Sequence, residues 1–225
     1  MLNNDTTTQA LNCLNCLSAI QDRIAGRVVL KDSVTDVTSI AAVGHAFSCD
    51  AVLSHVVVVD LDMQLIDEST VIERVQTPYV PGLLFCREGP AILKAVSRLR
   101  DKFDVLLVDA CGINHYRFAG LASHIGVLLD VPTIGVSKRT LCGEYSIPRE
   151  MGHYCEVRWQ NRKVGFILKT REGTKPIFIS PGHRVSLQSS LVIVQSSLRG
   201  HKLPEPLRLA HVKAQARKRA FWASN

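Results

Sequence analysis

The alternation of apolar and polar positions divides the chain into short segments. Residues 9–25, QALNCLNCLSAIQDRIA, repeat apolar positions at helical spacing and stop before Gly26, which suits a C-terminal cap; a helix is expected within 1–26. Residues 27–38 are polar and read as a loop. Three strands are expected next, at 39–47, 54–62 and 64–75; HVVVVDL in the second is rich in β-branched residues. TPYVPG at 77–82 reads as a rigid loop, because each proline fixes its own φ and restricts the residue before it.

REGPAILKAVSRLR at 87–100 predicts a helix with Pro90 in its first turn, where a missing N–H costs little. FDVLLVD at 103–109 reads as a buried strand ending in a carboxylate, followed by a helix at about 118–129 and the strand PTIGV at 132–136. Strand, helix and strand in alternation imply a parallel sheet. A hairpin around QNRK pairs 154–159 with 163–169, KPIFIS adds a strand, and helices at about 186–199 and 204–221 close the chain. With no internal repeat or long linker, one α/β domain is expected over 1–225, its core at 39–221.

Charge adds a bias toward partners. Lys and Arg outnumber Asp and Glu by 27 to 20, a formal charge of +7, which favours polyanions such as nucleic acid and also serves solubility. The N-terminus has no basic start followed by an apolar run, and the longest apolar stretch is broken by Asp60 and Asp62, so neither a signal nor a membrane span is expected. Seven scattered cysteines suit a reducing interior, and a cytoplasmic protein is expected. Cys13 and Cys16 form a lone C-x-x-C with no second pair, a weak signal for zinc or redox chemistry.

Sites in open α/β sheets lie beyond the carboxyl ends of strands. Asp109 sits there, although a strand-end Asp can also be a cap or turn former. Glu88 could equally be a helix N-terminal charge, Lys138 a solvated lysine and His211 a surface histidine. His115 and Lys138 follow the two parallel strands, which brings both toward Asp109. Two carboxylates, two histidines and a lysine at one sheet edge suit a divalent metal acting on phosphate.

Several stretches, TPYVPGLLFCREGPAILKA, VLLVDACGINHYRFAGLASHIGVLLDVPTIGVSK, KPIFISPGHRVSLQSS and KLPEPLRLAH, resemble the endonuclease V family in the same order from about 39 to 211. The resemblance implies a ribonuclease H-like fold: a mixed sheet, its first three strands antiparallel and the next parallel, flanked by helices. It also implies hydrolysis of a phosphodiester 3′ of a deaminated purine, deoxyinosine or inosine, with Mg²⁺ or Mn²⁺. DNA is the implied partner, RNA the alternative, no membrane is involved, and a monomer is expected. By the same resemblance Glu88 and Asp109 hold metal, His211 completes the acidic site, and His115 and Lys138 lie around the base and the scissile phosphate. Tyr79 is the implied wedge entering beside the damaged base, where an aromatic ring replaces lost stacking. Gly82, Leu84 and Gly112 are the implied base pocket.

Three positions depart from the family pattern. Where the family's first strand carries G-x-D-x-S with a metal-binding Asp, this chain has VGHAF, with His45 in the ligand position. Imidazole suits Mn²⁺ better than Mg²⁺, so weakened or Mn²⁺-preferring activity is expected, the alternative being a nucleic-acid-binding protein with impaired catalysis. Ala110 replaces a glycine and narrows the pocket, Tyr116 replaces a proline, and Asp50 is a candidate substitute ligand.

Overall fold

The computed structural model describes residues 4–48, 50–75 and 77–223, with side chains described from residue 16 to residue 222. The side chain of Cys13 therefore lies outside the described residues, and Cys16 is exposed with a free thiol. One eight-stranded sheet runs through the molecule in the order β3-β2-β1-β4-β5-β8-β7-β6. β1 (Ser39–Ser48), β2 (Ala51–Asp60) and β3 (Leu65–Arg74) form an antiparallel meander. β4 (Val105–Val108) and β5 (Thr133–Ser137) continue parallel to β1. β8 (Ile177–His183), β7 (Arg162–Leu168) and β6 (Tyr154–Trp159) complete it antiparallel.

Alternation along β1 sorts the core into two layers. Ile40 and Ala42 face one side, where α4 (Leu187–Ser196) and α5 (Glu205–Ala223) contribute Leu191, Val194, Leu207 and Ala210. Ala41 and Val43 face the other, against Ile92 and Ala95 of α2 (Leu84–Ser97) and Ile125 of α3 (Leu121–Leu129). The long α1 (Asn4–Arg27) packs Ile24 near Val127 of α3. β1, β4 and β5 are buried on both faces, which is why their sequences read as continuous apolar runs.

Some boundaries differ from the sequence expectation. β2 begins at Ala51, three residues early, because the ladder to β1 extends to the Ser48–Ala51 pair. α2 begins at Leu84, so Pro90 lies in its second turn, where it removes one intrahelical donor. Gly82, at φ 84°, turns the chain into that helix, a conformation glycine adopts without strain. β6 and β7 are joined by Gln160 and Asn161 at φ 48° and 60°, the twist of a tight hairpin turn.

Candidate active site

The candidate site forms where β1, β4 and β5 end. The pairing of Val43 with Val108 sets Asp109, the first residue after β4, beside Gly44 and one step short of His45. A tight turn, with the Ala110 N–H donating to the Val108 carbonyl at 2.7 Å, ends that strand. Glu88 reaches in from α2 and is 6% exposed. His211 comes from α5, whose backbone crosses β1 at Gly44; a Cβ there would overlap the Ala210 carbonyl and lie 2.6 Å from the His211 nitrogen. Gly44 therefore lets His211 approach the carboxylates.

Distances within the group are short. His211 Nε2 lies 3.0 Å from Asp109 Oδ2, without hydrogen-bond alignment, and Lys138 Nζ lies 3.9 Å from the same oxygen. His45 shares a hydrogen bond between Nδ1 and Ser54 Oγ at 2.9 Å, and its Nε2 faces Glu88 Oε2 at 3.5 Å. Burial pushes the His45 pKa down to about 4, against the opposing charge of Asp109, so the ring is neutral at physiological pH. Burial, with the charge of Asp109, pushes Glu88 up to about 7. Burial also works against ionised Asp109, but His211 and Lys138 outweigh it and hold that carboxyl below its ordinary value.

Two carboxylates that resist ionising together, beside two buried Nε2 atoms without hydrogen-bond partners, are donors suited to a divalent cation. Among the described residues no group of three His, Cys, Asp or Glu is gathered at metal-binding spacing. The fit is thus to a cation held by Glu88 and Asp109 and otherwise hydrated, as Mg²⁺ and Mn²⁺ tolerate.

A cavity of about 470 Å³ adjoins Asp109, lined among others by Tyr79, Gly82, Leu84, His115 and Lys138. A family model for endonuclease V matches residues 22–212. The chain belongs to the endonuclease V family. Endonuclease V of Thermosipho melanesiensis is 38% identical over 203 residues, covering 90% of each chain. The crystal structure of endonuclease V from Streptomyces avermitilis superposes with a TM-score of 0.84 at 33% identity, covering 92% of this chain and 94% of that one. Endonuclease V of Ciona intestinalis, solved with a 24mer DNA containing an inosine followed by a ribo-adenosine, shares the fold with a TM-score of 0.81 at 21% identity, covering 93% and 99%. As an endonuclease V this chain is a nuclease, a hydrolase, and its sheet is ribonuclease H-like.

Within this endonuclease V the remaining sequence-chosen residues separate. Tyr79 stands at the cavity rim and is 66% exposed. His115 is buried and donates from Nε2 to the Gly82 carbonyl at 3.0 Å while its Nδ1 accepts from the Arg117 N–H at 3.2 Å, which fixes a neutral tautomer. It shapes the cavity by holding the Gly82 loop. Gly112 is not part of the lining: its Cα packs against the Pro181 carbonyl of β8, and its own N–H and carbonyl bond Asn114 and Gly120. Its glycine is needed for this close packing against β8.

Asp50 is also corrected. It lies in the β1–β2 turn, 74% exposed and 3.9 Å from Arg74, away from the carboxylates. Ala110 lines the cavity without the positive φ that would demand glycine. Sequence reasoning missed Gly44 and Gln21, whose Nε2 donates to the Gly82 carbonyl at 2.6 Å. Gly44 was visible only as a glycine inside an apolar strand, a signal of close backbone approach.

Proposed function

We propose that this endonuclease V hydrolyses the phosphodiester 3′ of a deaminated purine, with Glu88 and Asp109 holding Mg²⁺ or Mn²⁺. The observation that carries this reading is that Asp109 and Lys138 line the cavity edged by Tyr79, with Glu88 close enough to feel the charge of Asp109. The inosine in the DNA bound by the Ciona relative supports the choice of base. When bound, the cation supplies polarisation of the phosphodiester and lowers the charge the two carboxylates present to it. Lys138 complements negative charge growing on the phosphate. His211 keeps Asp109 ionised and oriented. Tyr79 stacks in the gap left by the extruded base, and Gly82, Leu84 and His115 enclose that base. A monomer in the cytoplasm is the working state for this reading, and cysteines without disulfides among the described residues suit a reducing compartment. Among the described residues no helix is long and apolar enough to cross a membrane.

His45 sets the metal preference. Its Nε2 faces Glu88 where the family pattern has a carboxylate, so the site offers one anionic oxygen donor fewer and a neutral imidazole instead. Mn²⁺ accepts that donor and Mg²⁺ does so poorly. The test is incision of inosine-containing single strands, DNA and RNA in parallel, with each metal. Wild type is expected to cut faster with Mn²⁺, and His45→Asp to raise Mg²⁺-dependent cutting. Brisk wild-type cutting with Mg²⁺ alone would overturn the retuned site. Silence with both metals, relieved by His45→Asp, would establish impaired catalysis instead.

A further inference from the structure

A groove of about 750 Å³ continues from the cavity on the far side of residues 138–140, which line both. Lys138, Arg139, Lys169 and Lys175 line it with Tyr145 and Ile147, and no Asp or Glu does; Glu172, in the adjoining turn, is outside the lining. Its floor comes from Ile167 of β7 and Phe178 of β8, and the Tyr145 ring stands edge-on to Phe178 with centroids 5.0 Å apart. Lys202 belongs to the same cluster: burial, and the charges of Lys138 and Lys175, lower its pKa. Thr170 donates to the Lys202 carbonyl at 2.7 Å, which fastens that loop to the groove wall.

Several clusters of cations elsewhere on the surface are matched by carboxylates. Glu68 takes Lys213 and Arg217, Glu205 takes Arg208, and Asp130 takes Arg184. Arg139, Lys169 and Lys175 in the groove, and Lys202 beside it, have no carboxylate partner among the described residues, and Lys169 donates to the Thr174 carbonyl at 2.8 Å. Gathering like charges without acids costs stability in the free protein and favours a polyanion in the groove. The exposed Tyr145 and Ile147, 42% and 66% accessible, offer flat apolar surface between those charges, the combination that holds single-stranded nucleic acid.

The groove starts at the reacting end of the site. Lys138 is 3.9 Å from Asp109, whereas Tyr79 borders the cavity and not the groove. We propose that the groove holds the sugar–phosphate backbone of the substrate strand on the 3′ side of the cut, with Lys175 and Lys202 on its phosphates and Tyr145 against its sugars or bases. This rests on the function proposed above: the base in the cavity lies 5′ of the cleaved bond, so the strand passing beyond Lys138 is the 3′ flank.

The experiment is equilibrium binding of the full chain, with divalent metal withheld, to labelled single strands carrying a central inosine or a guanine control. Trimming the 3′ flank to one nucleotide is expected to weaken wild-type binding roughly tenfold, and equal trimming of the 5′ flank to do less. Lys175→Gln with Lys202→Gln should lose a similar factor on the long strand and flatten the salt dependence by about 0.7 per lysine replaced. That double variant should then be indifferent to 3′ trimming, while the paired Lys→Arg variant keeps wild-type behaviour. The groove assignment falls if the Gln pair binds the long strand like wild type, stays sensitive to 3′ trimming, or loses its sensitivity to the 5′ flank instead. Selectivity for inosine over guanine is a separate readout: its absence would sink the base-pocket reading while the flank and salt results still judge the groove.

Discussion

Two buried histidines on neighbouring strands face opposite sides of the sheet, and each has a glutamate close by. His45 on β1 lies 3.5 Å from Glu88, and His55 on β2 lies 3.6 Å from Glu68. Burial pushes both imidazoles down to about 4. The glutamates diverge. Glu88 is pushed up to about 7, beside a second carboxylate. Glu68 is held below its ordinary value despite burial, because Lys213 at 2.5 Å and Arg217 at 2.9 Å both donate to it. The same residue pair therefore adjoins a second carboxylate on one face and closes a salt-bridge network on the other. What separates them is the partner of each glutamate, Asp109 for Glu88 and two hydrogen-bonded cations for Glu68, which makes the first cluster suited to chemistry and the second to holding α5.

That contrast can be broken by substitution. Asp109→Asn should lower metal-dependent incision by about 10²–10³-fold, the scale of removing one major electrostatic group, while Glu68→Gln lowers it far less. Equal losses in an incision assay would erase the division of labour. Gly44→Ala should touch both clusters at once, since it lies beside His55 and forces α5 away from β1. It should cost about 1–3 kcal/mol in urea unfolding, as overpacking does, and reduce incision through displaced His211.

Stability should separate the glutamates by sign. Glu68→Gln leaves Lys213 and Arg217 less well matched and should cost about 1–2 kcal/mol. Glu88→Gln removes a carboxyl that ionises unwillingly and should stabilise the metal-free protein by about 1–3 kcal/mol at pH 8. Loss of stability in Glu88→Gln would mean that its neighbourhood favours the charge.

The smallest effect is a slope. The folded-state value of His55 is depressed from 6.5 to about 4, so the unfolded chain takes up the proton first. Its contribution to stability is full above about 6.5 and is lost as pH falls toward 4. Glu88 is raised from 4.5 to about 7, so its contribution is present below 4.5 and is lost as pH rises through about 7. Urea unfolding between pH 4 and 8 without divalent cations should show His55→Gln flattening the acid-side rise and Glu88→Gln flattening the neutral-side decline. His45 titrates in the same window as His55 and remains in both variants.

Local pattern made most of the sheet legible, because β-branched runs such as HVVVVDL and the QNRK turn carry their own geometry. Asp109 and Lys138 were legible for the same reason: each directly follows a short apolar strand. The start of α2 was misread because Leu84, Phe85 and Cys86 follow a proline-bound loop and show too few turns to declare a helix before Pro90. The packing that requires glycine at 112 was not legible, because its constraint comes from β8, about seventy positions later, where no local pattern can show it. The His55–Glu68–Lys213 network spans three elements and was invisible for that reason.

The Gly82 carbonyl accepts from both His115 and Gln21, and Gln21 belongs to α1, just before the stretch matched by the family model. A helix outside the sheet thus fastens the loop that carries Tyr79. Tightening or loosening that fastening changes how much disorder the loop must surrender when a strand arrives, and leaves both carboxylates where they are. The N-terminal helix can therefore retune the order of this loop without moving the strand ends that carry the carboxylates.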